Sequence, residues 1–251
     1  MEKLITILKQ VVDLGCTGIK ISFEDEGALL NEHIIMSHLT CSLGIDLAIK
    51  IGGCEAKRDI VDCINLNCTS VVAPMVESRF ALNKYINSCK QYHVKQKLGF
   101  NLETIQAYNN LNQLKEEFAS IDYVTFGRVD FVSSLNKDRS YVDHEEMYGY
   151  VSDVFKTVKA YNKKCYMGGA ISVASEDFIN KLIAEKLLDK YETRYIIFDA
   201  TKVSDFKKCI YYANLFEVEW LKYIREMYLM SADKDKKRIE MIEERMTINK
   251  Q

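Results

Sequence analysis

The feature that most constrains the fold is an unbroken alternation of short apolar runs and helical patterns. Seven runs are rich in Val, Ile, Phe and Tyr, at residues 18–24, 46–53, 69–76, 97–103, 122–128, 165–171 and 194–200. Most are apolar throughout, which is typical of strands in a parallel sheet that is covered on both faces. Stretches with helical periodicity separate them. The class is therefore α/β, and the chain length of 251 residues favours a (β/α) barrel of the TIM type.

The pattern divides the chain into two parts. Residues 1–203 contain no Gly/Ser-rich linker, and the single proline of the chain also lies there. We therefore predict one barrel domain. Residues 204–251 predict a long C-terminal helical extension, aromatic and amphipathic at first and then highly charged. Its aromatic stripe could pack on the chain's own barrel or on a second subunit. The length beyond the last strand favours an oligomer contact, so we expect a homo-oligomer.

Composition excludes several classes of partner. The net charge of −2 and pI near 6.1 give no electrostatic reason to expect nucleic acid or an anionic membrane. The first residues read as an amphipathic helix rather than a signal peptide, and no apolar run reaches the ~18 residues of a membrane span. The eight cysteines are scattered, with no CxxC pair, and read as buried thiols. We therefore expect a cytoplasmic protein.

Two of the predicted strands end in a single carboxylate. Glu103 closes the run at 97–103, and Asp130 follows the next run, 27 residues later in the sequence. The carboxyl ends of neighbouring barrel strands meet at one end of the barrel, where catalytic residues of this fold lie. Mg²⁺ favours one or two carboxylates, with water and substrate oxygens in its other positions. The pair therefore predicts a site for a divalent metal, although each residue alone could be a solvated acid or, for Asp130, a helix N-cap.

Several motifs around these acids resemble one known family. The segments "SVVAPMVES", "GFNLETIQAYNNLNQL", "YVTFGRVDFVSSLN" and "CYMGGAIS" occur in the order and register of the HpcH/HpaI aldolase and citrate lyase β-subunit family. The likeness extends from about residue 8 to residue 203 and includes the spacing between Glu103 and Asp130. No single motif would be specific enough by itself.

The resemblance implies a carbon–carbon lyase or aldolase, or the reverse condensation. It implies Mg²⁺ or Mn²⁺ held by Glu103 and Asp130, and a small 2-oxo acid such as pyruvate or oxaloacetate that reacts through its enolate. The turn formed by Gly127, Arg128 and Val129 would bind the substrate carboxylate through backbone amides. Its Arg128 side chain could reach a second anionic group, although a solvated arginine beside the pocket is the alternative.

The sequence departs from the family in three ways. Lys50 stands where the family has an arginine, which keeps the charge but loses the planar fork; it could instead form a salt bridge with Glu24 or Glu26. The histidine of the aldolase branch is absent, which leaves Glu24 and Asp25 as candidate acids for proton transfer. The family's first strand is also missing, so the barrel must close through shifted strands, the C-terminal extension or a partner subunit.

Other functions remain open at this point. A barrel without the arginine and the first strand could be catalytically weakened, and could bind a small carboxylic acid or serve as an oligomeric partner. A phosphate-ester enzyme would need an anion site at Gly168 and Gly169, where two adjacent glycines more often allow a close backbone approach.

Overall fold

The computed structural model describes residues 1–24 and 26–248. Within these residues the strands are β1 (Cys16–Ser22), β2 (Asp46–Lys50), β3 (Ser70–Ala73), β4 (Lys97–Leu102), β5 (Tyr123–Gly127), β6 (Lys164–Gly168), β7 (Lys190–Glu192) and β8 (Ile196–Asp199). The helices are α1 (Glu2–Asp13), α2 (Leu30–Leu43), α3 (Lys57–Asn65), α4 (Arg79–Gln91), α5 (Ile105–Asn109), α6 (Leu111–Leu114), α7 (Arg128–Ser134), α8 (Glu145–Ala160), α9 (Glu176–Ala184) and α10 (Phe206–Ile248). Short 3-10 helices occupy Lys115–Ser120, Arg139–Asp143 and Val173–Ser175.

The strands form a closed barrel in sequence order, which confirms the predicted fold. Strands β1 to β7 pair in parallel, whereas β8 is antiparallel to both of its neighbours, β7 and β1. The expectation of seven strands is corrected, because the described residues contain eight. The unpredicted strand, β7, has only three residues and directly follows a helical pattern. The first strand, β1, follows α1. The barrel closes because the hairpin of β7 and β8 pairs with β1 through β8.

The main core lies between the barrel and its helices. Alternate strand residues such as Ile19, Ile49 and Phe100 face outwards and pack against the apolar sides of the helices. Helix α1 shows how the pattern works, because its buried residues follow the spacing of one helix face: Leu4, Ile7, Leu8 and Val11. Six of the eight cysteines are buried, as expected, namely Cys16, Cys63, Cys68, Cys89, Cys165 and Cys209. The expectation is wrong for Cys41, which is exposed, and for Cys54, which is half-buried.

The other alternate residues point into the barrel and form two layers. The lower layer is apolar and forms a separate cluster of Ala48, Val72, Tyr123, Tyr166 and Ile197. Its two tyrosine rings stack with their centroids 4.3 Å apart. Nearer the carboxyl ends of the parallel strands, the inward positions include Lys50, Asn101, Thr125 and Gly168. The barrel is therefore filled with apolar side chains at one end and lined with polar groups at the other.

The first half of α10 belongs to the same core as the barrel. Phe216 and Trp220 are fully buried, and Glu219 forms a salt bridge with Lys3 of α1 at 2.7 Å. The aromatic stripe therefore packs on the chain's own barrel, across the predicted boundary between residues 203 and 204. From residue 229 to residue 246 the helix is almost entirely exposed. An oligomer contact through this second half stays a prediction.

None of the helices in the described part of the chain is both long enough and apolar enough to traverse a lipid bilayer.

We expect Trp220→Ala to lower the free energy of unfolding by about 3–5 kcal/mol, because the indole is fully buried in the core that α10 shares with the rest of the chain. Leu221→Ala is the matched control, since that neighbouring side chain is 52% exposed. Urea unfolding followed by circular dichroism measures both variants. Equal, small losses would contradict the docking of α10 on the barrel.

Candidate functional site

A cavity of about 520 Å³ opens at the carboxyl ends of the parallel strands, within the usual size range of small-molecule sites. Its lining is unusually rich in charge. The acidic residues are Glu26, Glu103, Asp130, Glu192 and Glu217, and the basic residues are Lys20, Lys50, Arg139 and Arg194. A cavity of this kind suits a small, charged, oxygen-rich ligand rather than an apolar one.

Glu103 lies at the centre of this site and is almost fully buried. One of its carboxylate oxygens accepts the Met75 amide at 2.9 Å, and the other accepts the side-chain amide of Asn101 at 3.1 Å. Burial is the main cause that raises the pKa of Glu103, and the nearby Asp130 raises it further. The Met75 amide and Lys50 act in the opposite direction.

The backbone around Glu103 is shaped to hold it. Met75 has a φ of 50°, in the left-handed region that non-glycine residues seldom adopt. In this conformation its backbone amide donates a hydrogen bond to the Glu103 carboxylate. On the other side, a Cβ on Gly127 would lie 2.7 Å from a carboxylate oxygen of Glu103. Strand β5 can therefore approach β4 here only because residue 127 is glycine.

Asp130 and Lys50 complete the centre of the predicted site. Asp130 lies in the first turn of α7, directly after β5, and lines the same cavity as Glu103. Lys50 is the last residue of β2, is buried and also lines the cavity. The structure thus brings together two carboxylates and one ammonium group that the sequence singled out.

These residues provide an incomplete but suitable donor set for a hard dication. Among residues 1–24 and 26–248, no group of three or more His, Cys, Asp or Glu side chains is arranged to hold a metal ion. Mg²⁺ differs from Zn²⁺ in this respect, because it is commonly bound through one or two carboxylates and otherwise by water and substrate oxygens. Two like charges at the end of a buried strand are also a place where a cation relieves repulsion.

The turn between β5 and α7 lines the cavity through Gly127 and Val129, but the Arg128 side chain does not. The guanidinium is fully buried, pairs with Asp143, and donates to the carbonyl of Gly169 at 2.9 Å. Both expectations for this side chain, contact with a substrate anion and exposure to solvent, are wrong. Arg128 instead ties α7 to the loop after β6.

Gly169 allows the loop after β6 to lie close to the backbone of α7, which is the close approach that the two adjacent glycines suggested. Its φ is +87°, and a Cβ there would lie 2.7 Å from the amide nitrogen of Val129 and 2.8 Å from that of Arg128. The loop after β6 thus lies directly against the first turn of α7, which helps to fix the predicted carboxylate-binding turn.

Of the described acids after β1, Glu26 lines the cavity and Glu24 does not. Glu24 is exposed and lies against Gly52, outside the residues that line the cavity. Asp25 lies outside the described residues. Glu26, two positions later, does line the cavity, where its carboxylate pairs with Arg194 at 3.8 Å. Its second oxygen is buried and has no hydrogen-bond partner in the described part of the chain.

Sequence reasoning missed most of the polar lining. Lys20 and Glu192 face each other inside the barrel, with Nζ and Oε2 3.0 Å apart. Thr125 is buried in the cavity wall next to Asn101, and its hydroxyl has no hydrogen-bond partner among the described residues. The sequence contained one signal for these residues. A lysine or asparagine interrupts an otherwise apolar strand at a position that lies on the same face as another inward side chain two residues away.

Comparison with solved structures identifies proteins of the same architecture. The citrate synthase SbnG aligns with a TM-score of 0.60 and 14% identity, covering 76% of this chain and 81% of that one. An HpcH/HpaI aldolase from Desulfitobacterium hafniense aligns with a TM-score of 0.62 and 10% identity, covering 77% and 82%. An HpcH/HpaI aldolase/citrate lyase family protein from Burkholderia cenocepacia aligns with a TM-score of 0.55 and 8% identity, covering 64% and 74%.

The chain has the fold of these structures. The resemblance seen in the motifs is thereby confirmed at the level of the fold. No protein-family model matches the sequence, and no curated protein shows significant sequence similarity to it.

Replacing Glu103 should change how stability depends on pH. Because burial raises its pKa in the folded chain, the folded state holds this proton at pH values where the unfolded state has lost it. Stability therefore falls as pH rises from the ordinary glutamate value of about 4.3 through the raised value. We expect Glu103→Gln to remove this pH-dependent loss of stability. The free energy of unfolding of the variant minus that of the parent chain should therefore be more positive at about pH 7 than at about pH 4. Urea unfolding at the two pH values tests this, with Glu116→Gln at the exposed surface as the matched control. A constant difference between Glu103→Gln and the parent would refute it.

We expect Gly127→Ala to cost about 1–3 kcal/mol of stability, because the new methyl group would overlap the Glu103 side chain. Gly149→Ala in α8 is the control, since a Cβ there meets nothing within 4 Å and alanine favours a helix. Thermal unfolding measures both. A neutral Gly127→Ala would mean that Glu103 is not held against β5.

Proposed function

We propose that this chain is an atypical member of the HpcH/HpaI aldolase/citrate lyase family and a divalent-metal-dependent carbon–carbon lyase or aldolase, or its reverse. Its substrate would be a 2-oxo acid such as pyruvate or oxaloacetate, which reacts through its enolate. The observation that carries the proposal is the convergence of Glu103, Asp130 and Lys50 in one polar cavity at the carboxyl end of the barrel.

The donor set supports a dication such as Mg²⁺ or Mn²⁺. Glu103 and Asp130 would hold it, and it would act as a Lewis acid towards the carboxylate and keto oxygens of the substrate. The hydrogen bonds from Met75 and Asn101 orient the Glu103 carboxylate before any ligand arrives. They leave the remaining lone pairs of both oxygens for a cation or a substrate group.

Lys50 and the start of α7 would act on the substrate itself. Lys50 supplies a buried positive charge near Glu103, where negative charge on the substrate oxygen could be stabilised. Gly127 and Val129 line the cavity where the resemblance expects the substrate carboxylate to meet backbone amides. Burial of the Arg128 side chain fixes this turn, which keeps those groups in place before binding.

Exchange of the methyl protons of pyruvate in D₂O tests the reaction at its central step. We expect exchange that requires Mg²⁺ and falls by about 10²–10³ in Glu103→Gln and in Asp130→Asn, as is usual when one electrostatic stabiliser is removed. Glu24→Gln is the control, because this acid lies outside the cavity. Loss of the methyl signal in proton NMR measures the rate.

The alternative function gives a different result in the same experiment. A catalytically weakened barrel would bind pyruvate or oxaloacetate in titration calorimetry but would show no exchange with either. Exchange that persists in both carboxylate variants would refute the metal site while leaving enolate chemistry in place.

A further inference from the structure

An ion pair inside the barrel is not used by the proposed metal chemistry. Lys20 extends from β1 and Glu192 from β7, and their charged atoms are 3.0 Å apart. The two side chains are 16% and 4% exposed, and both line the cavity. The pair is therefore removed from bulk solvent but is in contact with the space where a ligand would lie.

Stability alone gives little reason for such a pair. The cost of removing two charges from water commonly cancels their attraction, and apolar residues of similar size would serve the fold equally well. A second pair, Lys190 with Asp46 at 3.5 Å, has Asp46 38% exposed and does not line the cavity. Of these two pairs, the Lys20–Glu192 pair is the one that lines the cavity.

Its position relative to the other acids follows from the strand order. Glu103 follows β4 and Asp130 follows β5, whereas β7 and β1 lie on the other side of the closed barrel, separated only by β8. A small ligand between these two sides would face the Glu103–Asp130 pair on one side and the Lys20–Glu192 pair on the other. Thr125, whose buried hydroxyl has no hydrogen-bond partner within residues 1–24 and 26–248, lies in the wall of the same cavity.

We propose that Glu192 is the residue that transfers the substrate proton during enolate formation, and that Lys20 is its positioning residue. The inference rests on the proposed function. The carboxylate of Glu192 takes a proton from C3 of the 2-oxo acid; the C–H electron pair forms the new C2–C3 double bond, and the C2 carbonyl pair moves to oxygen. In the reverse direction the protonated Glu192 returns the proton to C3, so that no oxidant or further reactant is needed.

Other acids are less well placed for this step. Glu24 lies outside the cavity, and Glu26 lies in the segment between β1 and α2 rather than on a barrel strand. Glu192 is held on a barrel strand and is fixed by Lys20. Its oxygen would be 3.6 Å from a Cβ at Gly168, so the absent side chain there leaves one side of the carboxylate open.

The test measures methyl-proton exchange of pyruvate together with calorimetric binding of oxalate, a mimic of the enolate. We expect Glu192→Gln to slow exchange by about 10²–10⁴, the usual contribution of a general base, without lowering oxalate affinity. Its melting temperature should fall, because Lys20 loses its buried partner. Asp46→Asn, which breaks the Lys190–Asp46 pair outside the cavity, should leave exchange unchanged. Glu192→Asp, which keeps the charge, should retain part of the rate and covers the case in which the glutamine variant folds poorly.

Lys20 is tested by the pH dependence of exchange. We expect Lys20→Met to move the acidic limb of the pH–rate profile to higher pH, because a carboxylate that loses its cation accepts a proton more readily. Lys20→Arg should restore the profile. A purely structural role would lower the rate equally at all pH values and would overturn the assignment of Lys20.

The outcomes separate this inference from the proposed function. Exchange that survives in Glu192→Gln but is lost in Glu103→Gln overturns the inference alone, as does loss of exchange in Glu26→Gln with Glu192→Gln active. Exchange lost in Glu192→Gln but kept in Glu103→Gln and Asp130→Asn supports Glu192 and overturns the metal site. A parent chain without any exchange overturns both.

Discussion

The pairing of β8 with both β7 and β1 is the interaction on which the barrel depends. Without it, β1 and β7 would each present an open edge of unpaired backbone groups. The hairpin has only three and four residues in its two strands, yet it completes the ring of hydrogen bonds and buries Ile197 in the inner apolar layer. It also carries Glu192 into the cavity, so closure of the fold and construction of the site use the same few residues.

The interior of the barrel shows why polar chemistry is confined to one end. The stacked rings of Tyr123 and Tyr166 fill the lower part, and their burial excludes water from it. Directly above, the inward positions carry amide, hydroxyl, ammonium and carboxylate groups that partly satisfy one another. Because interactions between these groups are strong when water is scarce, the orientation of Glu103 by two hydrogen bonds has a large electrostatic effect.

Much of this arrangement could be predicted from sequence, and the failures have physical causes. Runs of continuous apolar residues identified every strand except β7, whose three residues are too short for any periodicity to register. The direction of β8 is decided by its partners and not by its own residues. The placement of Glu103 and Asp130 in one cavity was predictable, because Glu103 directly follows β4 and Asp130 lies in the first helical turn after β5. The burial of Arg128 was not, since it depends on Asp143 and Gly169, which lie 15 and 41 positions away.

The reversed direction of β8 has a consequence for α10. In a fully parallel barrel, the chain leaves each strand at the end where the cavity opens, and the next helix runs away from it. Here β8 delivers the chain to the opposite end, where Asp199 bonds to the carbonyl of Gly15. Helix α10 therefore runs along the outside of the barrel towards the end where the cavity opens. Its residues Asn214 and Glu217 line the cavity. A 43-residue helix is about 65 Å long, so α10 extends beyond the open end of the barrel. Its charged second half therefore projects past the entrance to the cavity.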